Sequence, residues 1–196
     1  MSAEEALRGL PVMTFTSAAE WSGWLERHAA ESPGLWVKFA RAGSGIASVT
    51  HPEALEQALR HGWIDGQRRR LDERWWLQRF GPRSARSTWS KVNRAAAERL
   101  IEEGRMFPGG LREVERARAD GRWERAYDAQ SAARVPRDLA AAFALRPEAK
   151  AFFETLDSRN RYSVLHRIET AKRPETRARR IDTFVEMLAR GEKLHP

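Results

Sequence analysis

The segment from residue 63 to residue 93 holds the densest set of side chains in this sequence that could bind a ligand. Arg83 offers a planar fork of N–H donors that suits a carboxylate or a phosphate. It comes just before a predicted helix start, where free backbone N–H groups and the helix dipole also favour anions. Two tryptophans could form flat apolar walls. We therefore predict a binding cleft made of Trp63, Asp65, Gln67, Arg83, Ser87, Trp89 and Asn93.

The same residues also have a purely structural interpretation. Asp65 and Arg83 could pair with each other, and Ser87 or Ser90 could cap a helix. Asn93 could hold the hairpin, and the tryptophans could belong to the core. The two interpretations differ in one observable. A cleft requires a solvent-reachable hollow beside Arg83, whereas a structural role leaves Arg83 enclosed.

A second cluster mixes positive charge with aromatic rings. It comprises residues 68–70, which are all arginine, together with Arg74, Trp75 and Trp76. Such a mixture can bind nucleic acid, because bases stack on aromatic rings while arginine neutralises phosphate. On a strand, however, Arg68 and Arg70 share one face and Arg69 lies on the other. No nucleic-acid-binding motif is present, so nucleic acid ranks behind a small anion or a peptide as a partner.

Signals for catalysis and for metal binding are weak. The sequence has no cysteine, which excludes disulfides, zinc–thiolate sites, iron–sulfur clusters and a cysteine nucleophile. The histidines are scattered, and neither His61 with Asp65 nor His51 with Glu53 matches a metal-ligand pattern. No nucleophile-elbow sequence and no glycine-rich phosphate loop occur. We predict a non-enzymatic binding protein with no cofactor and no bound metal.

The charge is concentrated in the middle of the chain. The 196 residues contain 35 Lys and Arg against 27 Asp and Glu, a formal net charge of +8. Residues 63–94 alone contain 9 basic and 3 acidic residues. Such a segment attracts phosphate, nucleic acid or an acidic peptide, although a solvated basic face would have the same composition. Basic residues near the C-terminus, including Arg167, Lys172 and Arg177, alternate with acids and predict a salt-bridged solvent face.

The pattern of apolar residues predicts an α+β fold. We expect a helix over 17–30, strands over 34–40 and 46–49, a helix over 50–62, and a hairpin with strands 63–70 and 74–80. Helices are then predicted over 87–103, 111–120, 136–145, 147–156, 158–172 and 174–191. The change from mixed structure to helices suggests two domains, an α+β domain over 1–86 and a helical domain over 87–196.

Several short motifs, in order, resemble one bacterial family. Residues 58–66 read ALRHGWIDG, and residues 80–83 with 87–93 read FGPR and STWSKVN. Residues 120–127 contain DGRW and AY, and residues 171–181 contain AK, ETR and RI. These motifs resemble the YdeI/OmpD-associated, or bacteriocin-protection, family. His61 and Arg167 depart from the hydrophobic or aromatic residues that this family usually has there.

The resemblance implies an N-terminal domain related to the YjbR/CyaY-like group, with a small antiparallel sheet, followed by a helical domain. It also implies a role in bacteriocin or antimicrobial stress protection. Kinship with the CyaY-like group makes iron or metal handling an alternative, but the basic balance favours an anion over a hard cation. The first ten residues have no apolar leader and no stretch is long enough to cross a bilayer, so we expect a cytoplasmic protein. The oligomeric state stays open.

Overall fold

The computed structural model describes residues 9–128, 133–171 and 173–196. The N-terminal residues 1–8, which form most of the segment considered for a leader, and Lys172 lie outside the described residues. The described chain forms four strands and eight helices, in the order β1 Val12–Thr14, α1 Ala18–His28, β2 Leu35–Ala40, α2 His51–Arg60, β3 Trp63–Arg70, β4 Trp75–Pro82, α3 Lys91–Glu102, α4 Pro108–Ala119, α5 Arg137–Leu145, α6 Pro147–Thr155, α7 Ser158–Glu169 and α8 Pro174–Ala189. The predicted α+β class is confirmed.

The chain divides into two compact units. The first comprises residues 1–88 and 93–124, and the second comprises residues 89–92 and 125–196. The first unit thus contains the sheet, α1, α2, most of α3 and α4, whereas α5 to α8 lie in the second. The domain boundary predicted near residue 86 stays a prediction.

The sheet of the first unit has the strand order β1-β2-β4-β3. β2 and β3 both pair antiparallel with β4, as the predicted hairpin requires, with Phe39 opposite Trp76 and Asp65 opposite Phe80. β1 pairs with β2 in parallel, so the sheet is mixed rather than purely antiparallel. β1 was not predicted from the sequence, because its three residues are too few to show an alternating pattern.

One face of the sheet carries the core of the first unit. Trp21 and Leu25 of α1 pack with strand residues that include Phe39 and Phe80. Trp21 also donates its indole N–H to the carbonyl of Ala54 in α2 at 3.0 Å. This bond satisfies the one polar atom of a fully buried tryptophan, and it ties the two helices to each other above the sheet.

Local capping signals in the sequence were reliable. Ser17 caps α1, and Thr50 forms the predicted capping box with Glu53 at the start of α2. Gly62, after the end of α2, has φ 79°, a conformation that L side chains rarely adopt. A Cβ added to Gly62 would lie 2.6 Å from the carbonyl oxygen of Gly109, so only glycine allows the two backbones to approach at this point.

Four predicted elements differ in the structure, and one of them is α4, which begins at Pro108 rather than at residue 111. Residues 46–49 form no strand, because the Ser48 hydroxyl, rather than a strand partner, accepts the amide of Ala40. α3 begins at Lys91 and not at residue 87, because Ser84 and Ser87 form a turn first. α7 begins at Ser158 as predicted, with Asp157 as its N-cap, but it ends at Glu169, three residues before the predicted end.

The second unit is a helical cluster with its own core. Leu139, Phe143, Phe153, Val164, Ile168 and Leu188 are among its buried residues, and together they represent all four helices from α5 to α8. The predicted boundaries of α5, α6 and α8 agree with the structure to within two residues at each end. Proline at the first position of α6 and α8 explains this accuracy, because its fixed φ suits a helix start.

Candidate functional site

Two of the seven residues predicted for a cleft lie in the interior of the first unit. Trp63 is 1% exposed and donates its indole N–H to the carbonyl of Ala29 at 3.1 Å. Arg83 is 4% exposed, and its Nη1 donates to the carbonyl of Thr88 at 3.2 Å. The Arg83 backbone is held on both sides, because its amide donates to Gly62 and its carbonyl accepts from Arg116. Trp63 and Arg83 thus have structural contacts that hold the end of the hairpin and the segment after it in place.

The remaining five predicted residues do not form one surface. Asp65 and Ser87 both line a shallow hollow of about 270 Å³ at the edge of the sheet. Gln67 is exposed and Asn93 is half-buried, and neither lines this hollow. Trp89 is 1% exposed and belongs to the second unit. A binding role for the seven residues as a set stays a prediction, and Asp65 and Ser87 are the two of them that line this hollow.

The first unit also contains a hollow that is larger than the one at Asp65 and that was not predicted from the sequence. It measures about 330 Å³ and lies between the end of β2, the loop 41–49, the start of α2 and β4. Phe39, Arg41, His51 and Trp76 line it, together with backbone of the glycine-containing loop 43–45. The sequence shows only that His51 opens a helix directly after a loop, which does not reveal a hollow. The sequence pattern considered for His51 was a metal-ligand pair with Glu53.

His51 is held in place by a chain of hydrogen bonds. Its Nε2 lies 3.2 Å from Oδ2 of Asp65, and the Gln78 amide donates to the same oxygen at 3.4 Å. Gln78 also donates to the carbonyl of Gly66 at 2.7 Å. Because a carboxylate can only accept, Nε2 of His51 is the donor in this contact. Asp65, one of the predicted site residues, therefore fixes the tautomer of the histidine that lines the hollow.

The aromatic wall of the hollow is built in layers. The rings of Phe39 and Trp76 stack with centroids 4.6 Å apart and an interplanar angle of 18°. The guanidinium of Arg68 lies 4.0 Å from the centroid of Trp76. His51 is 5.8 Å from Trp76 and 6.0 Å from Phe39. The wall thus combines apolar rings with a fixed positive charge.

Some arginines of this chain form ion pairs with acids, whereas those of the hairpin and the loop 41–49 do not pair with any acid that the structure describes. Within the described residues, Arg99 and Arg105 share Glu56, and Arg177 pairs with Asp138. No ion pair in the described part of the chain involves the arginines of the loop and the hairpin, which are Arg41, Arg68, Arg69, Arg70 and Arg74. Positive charge without an acidic partner among the described residues therefore lies at the hollow on Arg41, which lines it, and beside its wall on Arg68, which covers Trp76.

The acid nearest the helix start is already occupied. Glu53 accepts the backbone N–H and the hydroxyl of Thr50, at 2.9 and 2.7 Å. These two hydrogen bonds lower the pKa of Glu53 below its ordinary value. Glu53 thus remains a capping carboxylate for α2, and it does not pair with Arg41.

Two features of the described residues bear on metal binding and on membrane insertion. Among those residues, no group of three or more histidine, cysteine, aspartate or glutamate side chains could hold a metal ion. None of the described helices is both long enough and apolar enough to cross a bilayer.

Two protein-family models match separate regions of the chain. Residues 13–113 match the family model described as a domain of unknown function, DUF8412. The chain belongs to the DUF8412 family. Its region contains the sheet, both hollows and most of the hairpin and junction motifs. No curated protein and no solved structure is significantly similar to this chain.

The second family match lies in the second unit. Residues 132–191 match the model described as bacteriocin-protection, YdeI or OmpD-associated. The predicted YdeI/OmpD-associated relationship is therefore confirmed for this region, which includes the motifs at residues 171–181. The relationship of the N-terminal region to YjbR/CyaY-like proteins stays a prediction.

Proposed function

We propose that this protein is a non-enzymatic binding protein whose N-terminal unit takes an anionic ligand in the hollow at His51. The ligand class is a small molecule that combines a flat ring with a phosphate or a carboxylate group. The ring would lie against the edges of Phe39 and Trp76, because the faces of Trp76 are already covered, and the anion would accept hydrogen bonds from Arg41 or Arg68. An acidic peptide offers the same carboxylate chemistry and is a second source of it.

The observation that carries this proposal concerns two arginines that form no ion pair among the described residues: Arg41, which lines the concave hollow, and Arg68, which covers Trp76 in its aromatic wall. A positive charge that has no acidic partner within the protein attracts anions from solution. The aromatic residues and His51 add directional contacts that a merely charged surface lacks. The volume of about 330 Å³ also falls within the range of small-molecule sites.

The same geometry weighs against nucleic acid as the partner. Single-stranded binding needs aromatic faces on which bases can stack. One face of Trp76 is covered by Phe39 and the other by Arg68, and Trp36 is 1% exposed with Arg69 beside it. These two rings are therefore already occupied by neighbours within the protein.

The description of the C-terminal family suggests a biological setting. We propose that binding takes place in the cytoplasm and that it contributes to protection against bacteriocins or related stress. Metal handling of the CyaY-like type is the alternative, and it is tested by the iron and zinc content of the purified protein and by a metal titration. A stoichiometric metal would favour this alternative.

The binding proposal is tested by titrating isotope-labelled protein with phenyl phosphate, inorganic phosphate, benzoate and a short glutamate peptide at constant ionic strength. We expect NMR shifts centred on residues 39–51 and on the indole of Trp76. Phenyl phosphate should bind more tightly than inorganic phosphate, because only the former contacts the rings. Arg41→Gln and Arg68→Gln should each weaken binding about tenfold, the usual effect of losing one charge-assisted hydrogen bond.

Arg179→Gln is the matched control, since Arg179 is exposed, lies on α8 in the other unit and has no ion pair among the described residues. It removes the same charge without touching the hollow, so phenyl phosphate affinity should be unchanged. Shifts scattered over all arginines, or an equal loss in Arg179→Gln, would reduce the effect to net charge and overturn the proposal.

A further inference from the structure

The second unit contains a groove that the anion-binding proposal does not use. It measures about 480 Å³ and lies among α5, α6 and α7, next to residues 133–135. Most of its lining is apolar, and Phe143, Phe153 and Leu165 form its floor. These three side chains are themselves buried in the helical core. The groove therefore has a rigid apolar base that was shaped by core packing.

The rim of the groove carries charge on one side. Lys150 and Glu154 face each other across one turn of α6, with Nζ and Oε1 3.7 Å apart. Arg161, on α7, donates from Nη2 to the carbonyl of Leu156 at 3.2 Å and is exposed. Arg161 forms no ion pair with the residues described. The positive and negative charges of the first pair offset each other, so the net charge of the rim comes from Arg161.

We propose that this groove binds a long-chain carboxylate, that is, an unbranched alkyl chain with an anionic head group. The chain would lie over Phe143, Phe153 and the small residues Ala140 and Ala144, where burying CH₂ groups is favourable. The carboxylate would accept hydrogen bonds from Arg161, whose planar donors match its geometry.

The charge of the rim selects this occupant over the alternatives. A cationic amphiphile would place its head group beside Arg161 and would be repelled. A neutral amphiphile would gain the apolar contacts but would leave Arg161 without an acid. Exposed alanines also leave space along the groove for an unbranched chain.

The experiment compares sodium dodecanoate, dodecyl maltoside and dodecyltrimethylammonium, each below its micelle concentration, by isothermal titration to the full chain. We expect dodecanoate to bind most tightly. Ala140→Trp fills the groove and should weaken dodecanoate at least tenfold, since buried alkyl contacts are lost. Ala144→Trp is a second filling variant with the same expectation. Arg161→Gln should remove the preference for dodecanoate over the maltoside.

Two neighbouring residues give matched controls. Ala141 is exposed on the same helix but does not line the groove, so Ala141→Trp should bind dodecanoate like the unmodified protein. Arg159→Gln removes an exposed charge from α7 outside the groove and should keep the preference for dodecanoate. Equal binding of the three amphiphiles, or an equal loss in Ala140→Trp and Ala141→Trp, would overturn the proposal.

Discussion

His61 shows how one side chain can reduce stability within a well-packed unit. Its ring stacks on Phe107 with centroids 4.2 Å apart, and its Nε2 is buried with no hydrogen-bond partner. Burial, and then the charge of Arg60, lower the pKa of His61 to about 4. The sequence marked His61 as a departure from the family, but it could not show the cost of the unsatisfied nitrogen, because Phe107 comes from a distant segment.

We predict that His61→Phe stabilises the protein. The variant keeps the stacking surface and removes the unsatisfied polar atom, which should raise the free energy of unfolding at pH 7 by about 1 kcal/mol. Unfolding in urea, followed by tryptophan fluorescence, measures this change. A lower urea midpoint at pH 7 would contradict this explanation.

The same residue predicts a dependence of stability on pH. The folded state holds His61 at a pKa of about 4, below its ordinary value of 6.5. Between pH 4 and pH 6.5 the unfolded chain binds more protons at His61 than the folded chain does. The free energy of unfolding is therefore unaffected by this residue's titration above pH 6.5, and it decreases as the pH falls from 6.5 towards 4. The stability of His61→Phe should therefore decline less over this interval. Urea midpoints at pH 7 and pH 4.5 for both proteins test this, and parallel declines would refute it.

At the scale of elements, two glycines allow the cost of backbone conformation to be measured apart from the cost of a steric clash. Gly62 and Gly43 both have φ 79°. A Cβ on Gly43 would meet no atom within 4 Å, whereas one on Gly62 would overlap the backbone of Gly109. The two positions therefore share the conformational cost of a side chain and differ only in the steric contact.

We expect Gly43→Ala to lower the free energy of unfolding by about 1 to 2 kcal/mol, the cost of a side chain in the left-handed region. Gly62→Ala should cost clearly more, because the packing of α2 against α4 must also shift. Thermal unfolding of both variants tests the difference. Equal losses would mean that the contact between Gly62 and Gly109 relaxes freely.

The capping box of α2 offers a second test at this scale. Thr50→Ala should destabilise the protein by about 1 kcal/mol, because an orphan N–H of the first turn loses its acceptor. Glu53→Ala should cost a similar amount, and the double variant less than the sum, since the two residues serve one motif. Urea unfolding of the three variants measures the coupling. Strict additivity would show that the two side chains act independently.

At the scale of the whole molecule, the excess charge is unevenly compensated. Some helix arginines, such as Arg99 and Arg177, form ion pairs, whereas the three consecutive arginines of β3 form none among the described residues. We expect a variant with Arg68, Arg69 and Arg70 all changed to Gln to elute from heparin at clearly lower salt than the unmodified protein. A variant with Arg167, Arg173 and Arg179 changed to Gln should elute later than the first variant. Identical elution would show that only net charge matters.

The sequence predicted the architecture better than the site. The hairpin, the helix starts and the capping residues were predictable because their signals are local, as with Thr50 and Glu53. The hollow at His51 was not predictable, because it forms only when β2, the following loop and β4 come together. Likewise, Arg83 and Trp63 have the residue types of a binding cleft, and only the fold shows that both are enclosed.

The position of β3 at the end of the strand order has one more consequence. A terminal strand offers backbone groups that could pair with a strand of another molecule and begin aggregation. The three consecutive arginines of β3 are exposed, and like charges on two approaching copies repel each other. This run would therefore act as a gatekeeper that keeps neighbouring molecules apart, and an engineered form that lacks it would need lysine or proline on the same strand to remain dispersed.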